Sequence, residues 1–95
     1  MSPMKAVTKH LLFTGNVQGV GFRAYTRRAA RTAGVTGWIR NLTDGRVEVL
    51  LQGDSERIDG VIQQIAGGPP TARVESMIVD DMDPGEIFHQ FTIRR

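Results

Sequence analysis

Along this chain the apolar positions change period several times, and each change marks an expected element. Residues 8–13 are a short run ending in Leu11-Leu12-Phe13 and bounded by Gly15, which predicts a first strand. From Phe22 to Ala33 the spacing turns helical. Phe22, Tyr25 or Thr26, Ala29 and Ala33 share one face, Arg27, Arg28 and Arg31 form a solvated row, and Gly34 supplies a left-handed cap. Residues 35–42 predict a second strand. Thr43-Asp44-Gly45-Arg46 then predicts a tight hairpin, with positive φ tolerated at both Asp44 and Gly45.

Residues 47–51 predict a third strand with Val47, Val49 and Leu51 on one face. Asp54 or Ser55 can cap a second helix, in which Ile58, Val61, Ile62 and Ile65 fall at i, i+3, i+4 and i+7. Gly60 inside that helix costs about 1 kcal/mol relative to alanine. Gly67-Gly68-Pro69-Pro70 stops the helix. Val74, Ser76 and Ile78 then alternate with Glu75, Met77 and Val79 in a fourth strand, and a turn through Asp83-Pro84-Gly85 leads to a final strand over 88–94. The order implies an α+β fold, a ferredoxin-like split βαβ sandwich: βαββαβ plus a short C-terminal strand, a mostly antiparallel sheet with two helices on one face. Its length fits a single domain over 1–95.

One junction invites chemistry. Between the first strand and first helix the chain reads Gly15-Asn16-Val17-Gln18-Gly19-Val20-Gly21-Phe22, followed by Arg23. A helix N-terminus presents unpaired N–H groups and the positive end of a dipole, and glycines let the backbone curl into a concave nest. Such a place suits an anion, phosphate above all. Arg23 in the first turn faces that dipole unfavourably, and a bound dianion would reverse the sign. From composition alone, a glycine-shaped turn beside a surface arginine explains the stretch equally well. The Gly-Lys-Ser/Thr ending of a P-loop is absent, and the G-x-G-x-x-A match over Gly19–Ala24 sits in a chain too short for a doubly wound domain.

Composition narrows the rest. There is no cysteine, and His10 and His89 show no ligand spacing, so neither a disulfide nor a metal site is expected. Ahead of Thr14 the apolar run reaches only three residues, too few for a signal peptide or membrane span, and a cytoplasmic address follows. Ten of the twelve basic residues are arginine and the net charge is +2, which permits an anionic partner without requiring nucleic acid.

Val17-Gln18-Gly19-Val20-Gly21-Phe22-Arg23, then Gly37-Trp38-Ile39-Arg40-Asn41 and Asp44-Gly45-Arg46-Val47-Glu48, closely resemble the acylphosphatase family. The likeness continues through Gly68-Pro69, Ala72 and Val74 to Phe91-Thr92-Ile93, nearly the whole chain in order. The resemblance implies metal-independent hydrolysis of the carboxyl–phosphate bond of a small acyl phosphate, with no cofactor, no nucleic acid and no membrane partner, and a small monomer is expected. It carries the catalytic arginine onto Arg23 and the catalytic asparagine onto Asn41, with Gly15 to Phe22 as the phosphate-binding loop. Position 16 departs: the family usually has arginine or lysine there, and Asn16 removes a positive charge from the loop's entrance.

The chemistry suits so sparse a site. A carboxylate leaving group, with a pKa of about 4, departs without a general acid. A loose phosphoryl transition state asks mainly for positioning and charge stabilisation. Trp38 is expected to pack, and Arg40 to be an exposed strand residue. The rival from another class is an RNA-binding module of the same fold plan, but its aromatic pattern is missing from Arg46-Val47-Glu48-Val49-Leu50-Leu51. A silent phosphometabolite sensor is a second rival. The front domain of a hydrogenase-maturation protein is a third, disfavoured in this reading by the absence of sequence after Arg95.

Overall fold

The computed structural model describes residues 6–83 and 85–95, so Pro84 of the expected turn and the first five residues of the N-terminal stretch lie outside the described residues. The elements are β1 (Ala6–Asn16), α1 (Phe22–Ala33), β2 (Thr36–Asn41), β3 (Val47–Asp54), α2 (Ser55–Ala66), β4 (Arg73–Met82) and β5 (Phe91–Ile93). They form a five-stranded sheet in the order β4-β1-β3-β2-β5, antiparallel except for the β2–β5 pair. This is the split βαβ arrangement with an added parallel edge strand.

The core fills the space between one sheet face and the two helices. Leu11, Phe13, Ile39, Val47, Val49 and Leu51 meet Phe22, Ala29 and Ala30 of α1 and Ile58, Val61 and Ile65 of α2, all nearly inaccessible. Each large side chain so buried contributes roughly 1.5–3 kcal/mol. On the α1 face Thr26 is buried, the second of the two expected alternatives, and Ala30 is buried where Ala33 was expected. Asp54 caps α2, accepting from the Arg57 amide, and Gly34 closes α1 through bonds to Ala30 and Arg31 carbonyls.

Four expectations are corrected. β1 does not stop before Gly15; a bulge between Thr14 and Gly15 lets it bend and keep pairing with β4, so Gly15 and Asn16 are strand residues opposite Val74 and Arg73. Only Gly45, at φ 95°, takes positive φ in the hairpin, while Asp44 does not. The Leu42 amide bonds Arg46 O (2.8 Å) and the Gly45 amide bonds Leu42 O (3.2 Å), a three-residue connection in which glycine follows a turn. Arg31 is not merely solvated, because its guanidinium donates to Phe91 O (3.2–3.3 Å) and ties α1 to the edge strand. The last strand begins at Phe91 rather than 88, since the Phe88 amide is taken by Gln52 Oε1 (2.8 Å) and Gln52 Nε2 reaches Glu86 O (2.9 Å). Residues 86–88 are thereby held against Gln52 on the sheet face away from the helices.

That second face also buries Trp38, which lies under the guanidinium groups of Arg40 (5.4 Å) and Arg94 (4.9 Å). Trp38 is therefore packed rather than offered as a base-stacking platform. Arg40 pairs with Glu48, whose other oxygen bonds His10 (2.7 Å).

Candidate active site

Topology brings the relevant segments to one end of the sheet. β1 and β2 are each antiparallel to β3, so they run parallel to one another and both finish at that end, as does β5. The 17–22 loop, the start of α1, Asn41 and Ile93 therefore gather there. Within β2, Asn41 opposes Val47 as Ile39 opposes Val49, so its side chain leaves the sheet on the helix-covered side.

The loop is anchored at both ends and open between them. Val17 and Phe22 are each 1% exposed, and the Phe22 ring lies 5.0 Å from that of Phe13. Thr71 Oγ1 donates to Val20 O (2.6 Å), bracing the middle from the α2–β4 connection. Gly19 (φ 72°) and Gly21 (φ 80°) adopt left-handed conformations that cost other residues about 1–2 kcal/mol each. Among the described residues, no acceptor takes a hydrogen bond from the backbone N–H groups of residues 17–22. The first amide of this region to be paired is that of Tyr25, bonded to Gly21 O (3.0 Å). Six of the eight expected loop members, Val17 to Phe22, thus carry unpaired amides among the described residues, and four of them line the opening together with Arg23 and Ala24.

That opening is a cleft of about 220 Å³ lined by Val17, Gly19, Gly21, Phe22, Arg23, Ala24 and Ile93. At roughly 30 Å³ per water it has room for a phosphoryl group and attendant waters. Gly21 is the N-cap of α1, which has no side-chain cap bond and no acid in its first turn. Arg23 forms no hydrogen bond or ion pair with any described residue. A larger cleft of about 460 Å³ lies at the opposite end, beside Thr8, Gln52, Ser55 and Met82. There the nearby helix start, that of α2, is already capped by Asp54 and carries Glu56 in its first turn. Chemistry therefore favours the smaller cleft.

Of the expected site residues, Val17, Gly19, Gly21, Phe22 and Arg23 line the cleft directly. Gly15 and Asn16 precede it in β1. Asn41 is half-buried beside it in the fold rather than on its lining, and its Oδ1 is buried without a hydrogen-bond partner among the described residues. Such an atom is uncommon and calls for a donor. Gln18 takes a part not foreseen from the sequence: its side-chain amide reaches out of the loop to Leu42 O (2.8 Å) and Arg46 O (2.9 Å). A glutamine among glycines gave no sign of this, since both acceptors are main-chain. The Thr71 brace was equally unreadable. Among the described residues no group of three or more His, Cys, Asp or Glu side chains could hold a metal ion, and no helix is long and apolar enough to cross a membrane.

Comparison with known proteins finds relatives over most of the chain. The acylphosphatase family profile matches residues 9–93. The chain is similar to an acylphosphatase of Salinibacter ruber, 48% identical over 82 residues and covering 86% of each chain. It is also similar to one of Chromohalobacter salexigens, 57% identical over 75 residues, covering 76% of this chain and 83% of that one. The crystal structure of acylphosphatase from Bacillus subtilis superposes with a TM-score of 0.90 at 30% identity, covering 94% of this chain and 99% of that chain.

Proposed function

The chain belongs to the acylphosphatase family, a family of hydrolases acting on acyl phosphates, and from that premise we propose how its residues carry the reaction. The observation that carries the proposal is the row of unpaired loop amides around an uncapped helix start, with an uncommitted Arg23 beside it. These donors hold the phosphoryl oxygens of the substrate, and the Arg23 guanidinium grips two of them while the charge moves toward the leaving oxygen. The Asn41 carboxamide orients a water in line behind phosphorus, its buried Oδ1 accepting one of the water's hydrogens. The water oxygen bonds to phosphorus as the phosphorus–acyl oxygen bond breaks. The bonding pair leaves with the carboxylate, and the water's proton passes to a phosphoryl oxygen, giving carboxylate and inorganic phosphate.

No general acid is needed, because the departing carboxylate is a weak base whose conjugate acid has a pKa of about 4. An alkyl phosphate, with a far more basic leaving group, would not be cleaved by the same set. The reading extends to a monomeric protein of the cytoplasm.

Benzoyl phosphate with an added chelator tests the reading. Hydrolysis is expected to proceed unaffected by chelation, and Arg23→Ala and Asn41→Ala each to abolish most of it while circular dichroism shows the fold intact. Wild-type turnover in both variants would show the roles to be wrongly assigned.

A further inference from the structure

The 17–22 loop and the β2–β3 hairpin are separate pieces of chain, and the sheet does not join them directly because β3 lies between β1 and β2. Among the described residues, the hydrogen bonds that connect them are the two made by Gln18. Its Nε2 donates both hydrogens, to Leu42 O (2.8 Å) and to Arg46 O (2.9 Å). Each carbonyl already accepts a main-chain bond, from the Gly45 and Leu42 amides respectively, so Gln18 occupies their second lone pairs. The amide thus grips the closing pair of the hairpin, and Leu42 directly follows Asn41.

We infer that Gln18 is a positioning residue that fixes the separation between the phosphate cradle and Asn41, and so governs turnover rather than phosphate binding. The inference rests on the roles proposed above for the loop and Asn41. The cradle holds the phosphoryl group through main-chain amides, and these remain in place whatever side chain stands at 18, because Val17, Phe22 and the Thr71 bond anchor the loop independently. In-line attack, by contrast, requires the water on Asn41 and the phosphorus on the loop to meet within a few tenths of an ångström. An error of 1 Å between such groups costs about a hundredfold in rate. A single amide bonded to both ends of the hairpin restrains both the distance and the tilt of that hairpin relative to the loop.

Gln18→Met keeps the length of the side chain and removes both donors. It is expected to lower kcat on benzoyl phosphate by about tenfold to a hundredfold, while the inhibition constant of inorganic phosphate changes by less than about twofold. Gln18→Ala, measured alongside, is expected to show the same split. In an Asn41→Ala background the Gln18→Met change should have little further effect on kcat, because its consequence is transmitted through Asn41. A general loss of structure would persist there and would lower the melting temperature. The inference is overturned by an unchanged kcat, by phosphate inhibition weakening in step with kcat, or by fully additive losses in the double variant. Failure of the underlying reading is distinguishable: it would appear as retained turnover in Arg23→Ala or Asn41→Ala alone.

Discussion

Replacing Arg23 by glutamine should separate what the site does for the folded chain from what it does for a ligand. Arg23 stands in the first turn of α1, where no acidic side chain offsets the dipole, and it makes no hydrogen bond or ion pair with a described residue. A cation there costs about 0.3–1 kcal/mol at low ionic strength. Glutamine has nearly the same helix propensity, so little else changes. Without ligand, Arg23→Gln is therefore expected to be the more stable protein, by roughly 1–8 °C in melting temperature for a domain this small.

Phosphate should invert that order. At a hundredfold excess over its dissociation constant it adds about 2.7 kcal/mol to the wild type. Loss of a charge-assisted bond worth about 1.5–3 kcal/mol weakens binding by roughly tenfold to a hundredfold. At the same phosphate concentration the variant then gains about 1.4 kcal/mol or less. Thermal unfolding followed through Trp38 fluorescence, with and without phosphate, reads both effects. The reasoning is refuted if the unliganded variant melts below the wild type, or if phosphate raises both proteins equally.

Gly21→Ala tests the backbone half of the cradle. A Cβ there meets nothing within 4 Å, so its cost is conformational, about 1–2 kcal/mol of stability from φ 80°. Chemical denaturation should show that loss, accompanied by weaker phosphate inhibition as the loop relaxes. Glu48→Gln tests the face away from the helices. Burial raises the Glu48 carboxyl, but hydrogen bonds from His10 and Arg40 and the Arg40 charge outweigh this and leave it below its ordinary 4.5. Its stabilisation is then fully present above pH 4.5 and is lost as pH falls through the lower folded value. Glu48→Gln is expected to cost about 1–3 kcal/mol at neutral pH and to flatten the acid limb of a stability–pH curve. An acid limb as steep as that of the wild type would remove Glu48 from it.

The parts of the fold legible in the sequence were those written in local pattern. The stripe Ile58, Val61, Ile65 and the cap at Asp54 gave α2, and the alternation Val47, Val49, Leu51 gave β3. The glycine-turned loop at the uncapped start of α1 was legible because left-handed glycines and a helix start are both local. What failed to show was whatever depends on a partner distant in the chain. Gly15 looks like a terminator until β4 is placed beside it, and its bulge then continues β1. The 88–90 segment has strand-like residues but gives up its Phe88 amide to Gln52. Arg31 resembles its solvated neighbours until β5 supplies the Phe91 carbonyl. Asn41 was visible only through resemblance, since an asparagine before a turn is common and its buried, unpaired oxygen is a property of the packed molecule.

The absence of a basic residue at position 16 bears on which features of such a site can move. Several cations are engaged elsewhere: Arg40 by Glu48, Arg46 by Asp44, Lys9 by Asp81, Arg31 by a carbonyl, and Arg94 over Trp38 and Phe88. Directly across the β1–β4 ladder from Asn16, however, stands the exposed Arg73. Paired residues on neighbouring antiparallel strands lie about 4.5–5.5 Å apart at Cβ, so a positive charge still stands at the loop's entrance. Coulomb attraction falls only as the inverse of distance and has no preferred angle, which lets a steering charge shift by one strand at modest loss. Hydrogen bonds to phosphoryl oxygens fail within a few tenths of an ångström and weaken steeply with angle. Asn16 therefore falls on the part of the proposed site whose physics is forgiving. In the proposed mechanism, Gly19, Gly21 and Arg23 carry the part whose geometry is not.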